Sequence, residues 1–584
     1  MKKGVPVSPG VAVARAHCVD EVITSHEPYS LDDSGLSAEV SRFERACAAV
    51  IRELDDTIAR VTKQIGDDEA AIFRAHRQLL RDPTLLNKVM GRICGKKLDA
   101  ASSLRETLEE YAALFRQIPD AYLQERLADL RDVTGRVVVQ LSRDEQQQSK
   151  IDFSEPVILV APEIFPSQAA LIDKRWIAGI ITEAGAATGH AAILARALGI
   201  PAVSGIRGIL REVRGGDLLA LDGREGHVYV NPGPEVESAY RKLAREFADF
   251  SHRLIENHDL EAVSPDGVPV ELLANVSGVA DAHVAGHAGA TGVGLYRTEY
   301  LFLTHASVPD EEEQFAAYRE VIEAAPNKTV TIRTLDLGGD KHVSYLGTRK
   351  EANPFMGFRS IRLTTAYPEF FQAQLRAILR AARHGRVSLM FPMISQLEEV
   401  QRIKRVVHRT KVALKRAGIP FAEDVPVGIM IEVPAAALCI EELLDEVDFV
   451  SIGSNDLIQY LMAADRDNPQ VAHLCEPFSP ALLRLLARVI GACGERNKPV
   501  TLCGEMAGWP RCFLPLFGMG LRRLSMSPAA VPTLKELVRR THLSLAEEVT
   551  RRVLTMPTTG EIRGYLTRKV QEVWPNVTLV DMRR

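Results

Sequence analysis

Reactive and charged side chains recur in the second half of the chain, each at the end of a short apolar run. Asn275 ends VELLAN (270–275), Arg297 follows TGVGL (291–295), and Arg333 and Asp336 close VTIRTLD (330–336). Met393 ends VSLMFPM (387–393), Glu432 closes VGIMIEV (427–433), and Asn455 and Asp456 end DFVSIGSND (448–456). Cys503 and Glu505 end PVTLCGE (499–505), and Arg466 lies in the ADRDN segment (464–468). Guanidinium forks grip phosphate and carboxylate in two-pronged fashion. Carboxylates on separate strands suit Mg²⁺, which keeps waters and substrate oxygens among its ligands. A protonated thiol can serve as a general acid. The set calls for a small anion bearing both phosphate and carboxylate. Taken singly, a strand-end arginine is usually solvated and a cysteine in an apolar strand is usually core filler. Their convergence is what argues for a site.

A second constellation is GAATGHAAILAR (185–196). A loop of small residues delivers His190 to the start of an apolar helix. Neutral imidazole is nucleophilic, and its ordinary pKa of about 6.5 keeps it mostly neutral near pH 7. A helix N-terminus stabilises a phosphate placed there, and small residues let the backbone approach it. Thr188 can add a hydroxyl hydrogen bond. A structural hydrogen bond is the plainer reading of such a histidine.

The elements that must position these residues are legible as changes of texture. Residues 270–527 hold eight apolar strands separated mostly by helical stretches, the eighth being RRLSMS (522–527), which predicts a (β/α)₈ barrel with its site at the C-terminal strand ends. Short strands also punctuate residues 155–232, forming a small α/β domain. Residues 22–148 read as all-helical: Val40, Phe43, Cys47, Val50, Leu54 and Ile58 fall at helical spacing, and Pro83 stops a second run carrying Phe73, His76, Leu79 and Leu80. The 584 residues predict three or four domains, and 46% hydrophobic with 25% charged residues is ordinary for globular protein. The net charge of −5 excludes a strongly basic nucleic-acid binder. No apolar run reaches the roughly 18 residues of a membrane span, and no signal-peptide core is present. Eight scattered cysteines without a C-x-x-C pair fit a reducing cytoplasm.

With these residues in view, the chain resembles the Enzyme I family of the bacterial phosphoenolpyruvate:sugar phosphotransferase system over nearly its whole length. The segments that carry the resemblance, in order, are VSPGVAVARA, AIFRAHRQLLRD, GVGLYRTEYLF, EEEQFAAYREV, RTLDLGGDK, EANPFMGFR, MFPMI, GIMIEVPAAA, SIGSNDLIQY, ADRDN and LCGEMAG. The resemblance implies that His190 is phosphorylated at Nε2 and that Arg297 and Arg333 grip the phosphate. It implies that Arg466, Asn455 and Asp456 are further phosphoenolpyruvate contacts, that Glu432 and Asp456 hold Mg²⁺, and that Cys503 protonates the enolate to give pyruvate. It implies a swivelling phosphohistidine domain (1–21 and 149–234), an inserted helical domain (22–148) that docks the carrier HPr, and a linker helix (235–260). The remainder (261–584) is then a phosphoenolpyruvate-binding TIM barrel that forms a homodimer. An exposed minority of Phe73, Leu79, Leu80, Leu85 and Leu86, beside Arg74, Arg77 and Arg81, is the expected docking patch.

The chain departs from the family where the histidine loop, typically GG-x-T-S-H, reads GAATGH. Gly189 stands in place of the serine. One lost hydrogen bond is worth roughly 0.5–1.5 kcal/mol, which predicts slower transfer rather than none. A related nucleotide-dependent dikinase or synthase needs a further nucleotide-binding domain, for which residues 22–148 are too short and too helical. A nitrogen-related paralogue carries an extra sensory domain ahead of the VSPG segment, and a degenerate scaffold would shed the site residues first.

Overall fold

A computed structural model describes residues 1–18, 29, 31–32, 35–64, 73–74, 76–116, 121–143, 155–162, 176–183, 195, 200–303, 308–338, 351, 353–466, 468 and 470–579. The chain divides into two compact units, Met1–Phe250 and Ser251–Asp581. His190, Gly189 and Thr188 lie outside the described residues.

The first unit contains an eight-stranded sheet: β1 (Lys2–Lys3), β2 (Val5–Ser8), β3 (Val11–Cys18), β4 (Val157–Ala161), β5 (Ile177–Thr182), β6 (Ala202–Ser204), β7 (Leu218–Asp222) and β8 (His227–Val230). Their spatial order is β1-β8-β7-β3-β4-β5-β6-β2. None of β1, β2 and β3 pairs with another of the three. β1 lies beside β8, β2 beside β6, and β3 between β4 and β7. Ile158, Val160, Ile181, Leu219 and Leu221 alternate inward to form this core.

Between β3 and β4 the described residues include four long helices: α1 (Leu36–Gln64), α2 (Pro83–Lys96), α3 (Ala100–Arg116) and α4 (Ala121–Arg143). The helical spacing holds, since Phe43, Cys47, Val50 and Leu54 are all buried in one cluster with Val89, Ile93 and Leu104. Pro83 bounds two helical runs. The run before it does end, yet Pro83 is itself the first residue of α2. Proline is favoured there, because its missing N–H would be unpaired at a helix start and its fixed φ already suits the helix. The residues of the expected docking patch divide by burial. Phe73, Leu80 and Leu85 are buried in the helical core, and Leu79 and Leu86 pack against it half-buried. A further long helix, α5 (Pro234–Glu256), follows β8.

The second unit is a closed barrel of eight parallel strands: β9 (Glu271–Val276), β10 (Val293–Arg297), β11 (Thr329–Arg333), β12 (Arg386–Phe391), β13 (Val427–Ile431), β14 (Phe449–Ile452), β15 (Val500–Leu502) and β16 (Arg523–Met526). β16 closes on β9. Each apolar run read from sequence supplies one strand. β10 pairs irregularly with both neighbours, with register shifts between Val293 and its C-terminal end. Such irregularities re-aim side chains and recur beside active sites. Outside the barrel, α6 (Glu311–Ala324) and α7 (Pro368–Ala381) pack against each other, with Tyr318 of α6 meeting Tyr296 of β10 and Phe371 of α7 meeting Phe391 of β12.

One boundary differs from the sequence reading. β14 ends at Ile452, and Ser454–Met462 is a helix, α8. Asn455 and Asp456 therefore sit in the first turn of α8 rather than on the strand. Gly453 makes the break, lying so close to Glu432 and Met430 that a Cβ there would come within 2.7 Å of the Glu432 carboxylate. Among the described residues, no helix is long and apolar enough to cross a membrane.

Candidate active site

The barrel rim brings Arg297, Arg333, Glu432, Asn455, Asp456, Arg466 and Cys503 to one end of the strands. Two charged groups that sequence reasoning did not assign, Glu299 and Arg359, join them. Arg333 is buried at the end of β11 and ion-pairs with Glu299 at 2.6 Å and Asp336 at 3.1 Å. Burial alone would favour its neutral form, but Glu299, Asp336 and Glu432 outweigh that and hold the guanidinium charged. Arg359 donates to Asp336 at 3.0 Å, to Asp456 at 3.4 Å and to the Tyr460 hydroxyl at 3.1 Å. Ser360 closes the cluster with a hydroxyl bond to Asp336. Arg466 reaches the other Asp456 oxygen at 3.3 Å.

Arg297 differs from its companions. It is half-buried at the end of β10 and has no hydrogen bond or ion pair with any described residue. Burial pushes the Asp281 carboxyl and the Cys503 thiol up, and the Arg297 charge opposes that rise at both. A guanidinium fork that is fixed by its strand yet has open donors is suited to gripping an anion.

Glu432 is buried after β13, and its carboxylate accepts the Met393 backbone N–H at 2.6 Å. Met393 adopts a left-handed φ of 58°, which is uncommon for a side-chain-bearing residue and aims that N–H inward. Burial, then the nearby Asp456 and Asp336 carboxylates, push the Glu432 carboxyl up. Three carboxyl groups brought together in this way repel one another, a repulsion that a dication would relieve. Among the described residues no group of three or more His, Cys, Asp or Glu side chains is arranged to hold a metal. Glu432 and Asp456 supply two carboxylates at the rim, and Mg²⁺ is a cation that takes few protein ligands and fills its other positions with water and substrate oxygens.

Cys503 follows β15 and is buried inside the barrel against Leu295, Met390, Met430 and Phe449. Its backbone N–H bonds the Ile452 carbonyl at 3.0 Å, and Asn275 donates to its carbonyl at 2.9 Å. Ser525 in turn holds the Asn275 amide at 2.6 Å. Burial pushes the thiol up to about 11, so it carries its proton at neutral pH. Glu505 is exposed, and its backbone N–H donates to Asn455 at 2.9 Å. Gly504 between them allows a close approach: a Cβ there would meet Ser454 Oγ at 1.8 Å.

Comparison with known proteins bears on this rim directly. The chain is 40% identical over 566 residues to the phosphoenolpyruvate-protein phosphotransferase of Bacillus sp. (strain S), covering 97% of each chain. It is 39% identical over 566 residues to that of Geobacillus stearothermophilus, again covering 97% of each. It is 38% identical over 564 residues to that of Bacillus subtilis (strain 168), covering 97% of this chain and 98% of that one. The chain belongs to the phosphoenolpyruvate-protein phosphotransferase family. Within that family frame, residues 3–126 match the N-terminal region of PEP-utilising enzymes, 153–226 their mobile domain and 252–543 their PEP-binding domain. The rim just described falls wholly in the segment that matches the PEP-binding domain of PEP-utilising enzymes. Arg359 was present in the motif EANPFMGFR, but nothing in its spacing told that it would bridge Asp336 and Asp456. Glu299 gave less signal still, since it lies beyond the apolar run that ends at Leu295, yet it is fully buried.

Proposed function

We propose that the chain transfers the phosphoryl group of phosphoenolpyruvate to its own His190, and thence to a histidine of the carrier HPr, releasing pyruvate. The observation that carries this reading is the rim itself: an open-forked Arg297 beside charge-locked Arg333 and Arg359, facing a buried neutral thiol. Arg297 binds and orients the anionic substrate. Arg333 and Arg359, held charged by their carboxylates, offset charge on the transferring group at no cost in reorganisation. The P–O bond to the enol oxygen breaks as the P–N bond to His190 forms, and the enolate keeps the electron pair. Cys503 Sγ gives its proton to the enolate carbon, completing pyruvate, and recovers a proton from solvent. Glu432 and Asp456 would hold Mg²⁺, which when bound supplies positive charge to the phosphate and carboxylate oxygens.

The wider setting rests on the same family likeness. The sheet domain carrying His190 swivels between the barrel and a carrier seated on the helical segment 22–148. Two copies associate as a homodimer through their barrels, and the protein works in the cytoplasm at the first step of sugar uptake.

The test is incubation with radiolabelled phosphoenolpyruvate, with and without Mg²⁺, beside a His190→Ala control. An acid-labile, base-stable label that requires Mg²⁺ and is lost in the control is expected. Absence of label from the unaltered protein would overturn the enzyme reading and leave a binding scaffold.

A further inference from the structure

Behind the rim lies a chain of four uncharged polar side chains, every one of them fully buried: Thr298, Gln374, Tyr318 and Gln314. Thr298 donates to the Arg333 carbonyl at 2.9 Å. The Gln374 amide nitrogen donates to Thr298 Oγ1 at 3.3 Å and to the Tyr318 hydroxyl at 3.2 Å. Its amide oxygen accepts the Leu335 backbone N–H at 3.0 Å. Tyr318 donates onward to Gln314 at 3.1 Å, and Gln314 to the Pro309 carbonyl at 2.9 Å.

The orientation of the Gln374 amide follows from its partners. A backbone N–H can only donate, so the atom facing Leu335 must be oxygen, and the nitrogen then faces two oxygens. The location is what matters. β11 ends at Arg333, and Thr334 still bonds across to Met390. At Leu335 the strand ladder is over, and an amide from α7 takes its place. Thr298 lies directly between Arg297 and Glu299. A single side chain therefore ties the end of β10, which carries Arg297 and Glu299, to the end of β11, which carries Arg333 and Asp336.

We infer that Gln374, acting through Thr298 and the Leu335 backbone, is a positioning residue that sets the spacing of the two arginine-bearing strand ends. This rests on the functional reading above. Apolar side chains of the same size would fill the space without the cost of burying polar groups. What they could not do is fix the register of two irregularly paired strands. Small misplacements matter at such a rim, since a shift on the order of 1 Å in a reacting geometry costs on the order of 100-fold in rate. Tyr318 and Gln314 extend the chain outward to α6; the Tyr318 ring packs edge-on against Tyr296 of β10, but its hydroxyl bonds Gln374 and Gln314 rather than either strand end.

The experiment compares full-length Gln374→Leu, Thr298→Val and Tyr318→Phe with the unaltered protein. It reads kcat and KM for phosphoenolpyruvate, amide hydrogen exchange at residues 297–299 and 333–337, and the melting temperature. Gln374→Leu and Thr298→Val are expected to lose about 10-fold or more in kcat, beyond any change in KM, with faster exchange at both strand ends. Tyr318→Phe is expected to stay within about twofold of the unaltered protein in kcat, because the bracket survives it. The inference is overturned if the first two variants only melt earlier while kcat and exchange are unchanged, or if Tyr318→Phe loses as much activity as they do. If Gln374→Leu does not fold, Thr298→Val decides. If the unaltered protein does not turn over phosphoenolpyruvate, the functional reading fails, and exchange at the two strand ends still judges the bracket.

Discussion

Cys503 and Arg297 are the two side chains whose surroundings most directly specify a task. Burial holds the Cys503 thiol up at about 11, so its proton is present throughout the neutral range. Cys503→Ala should bind phosphoenolpyruvate normally by calorimetry but form pyruvate at least about 10-fold more slowly. Equal turnover in the variant would remove the proton-donor role. The pH–rate profile should likewise show no loss from thiol ionisation below about pH 10. Arg297 has its fork open, so Arg297→Ala should raise KM and lower kcat together, as expected of a group that grips both ground and transition state. An effect seen only in the melting temperature would make it structural. Gly504 is needed for space, since a Cβ there would also come within 2.8 Å of the Ser454 backbone nitrogen. Gly504→Ala must push apart the starts of α8 and of the segment after β15, which carry Asn455 and Cys503. Its turnover should fall at least about 10-fold with the chain still folded by circular dichroism.

At the scale of elements, much was legible because periodicity and punctuation agree. Each barrel strand is an apolar run bounded by Gly, Pro or Asp, and each appears where the runs do. The ends of the runs were less legible. SIGSND reads as one continuous strand, but Gly453 turns it into a helix start, so Asn455 and Asp456 approach from α8. Pro83 reads as a stop because proline breaks helix interiors, and the same ring chemistry makes it a good first residue. The site was legible where residue type declares its chemistry, as at Arg297 or Cys503. It was illegible where meaning comes from partners distant in sequence: Glu299 needs Arg333, and Arg359 needs Asp456, 97 residues on. The start of α6 gives a separate test. Asp310 accepts from the Glu312 and Glu313 N–H groups at 2.8 and 2.9 Å, and Glu313 returns the bond to the Asp310 N–H at 2.8 Å. Asp310→Ala should destabilise unit 2 by about 1 kcal/mol in urea unfolding. A change below about 0.3 kcal/mol would mean that packing, not the cap, holds this helix end.

Across the whole molecule, three of the buried thiols make both units sensitive to alkali. Burial pushes Cys47 and Cys493 up to about 12 and Cys503 up to about 11. Above the ordinary thiol range the unfolded chain loses these protons while the folded chain keeps them. The unfolded state then binds fewer protons, so stability falls as pH rises from about 9. Each thiol contributes a slope of about 1.4 kcal/mol per pH unit until its folded pKa is reached. Calorimetry between pH 8 and 10.5 should show the decline, and Cys493→Ala should make it shallower for unit 2. An unchanged slope would mean the thiol ionises equally in both states. The sheet of unit 1 has a consequence of another kind. β1, β2 and β3 find partners only among strands that follow Val157, well over a hundred residues downstream. At about 5–20 residues per second, a ribosome takes on the order of ten seconds to cover that gap. Throughout it the earliest strands have unpaired edges, while the helices after them can already close on one another. The segment made first is the one completed late, and a chaperone that shields it would have those seconds in which to act.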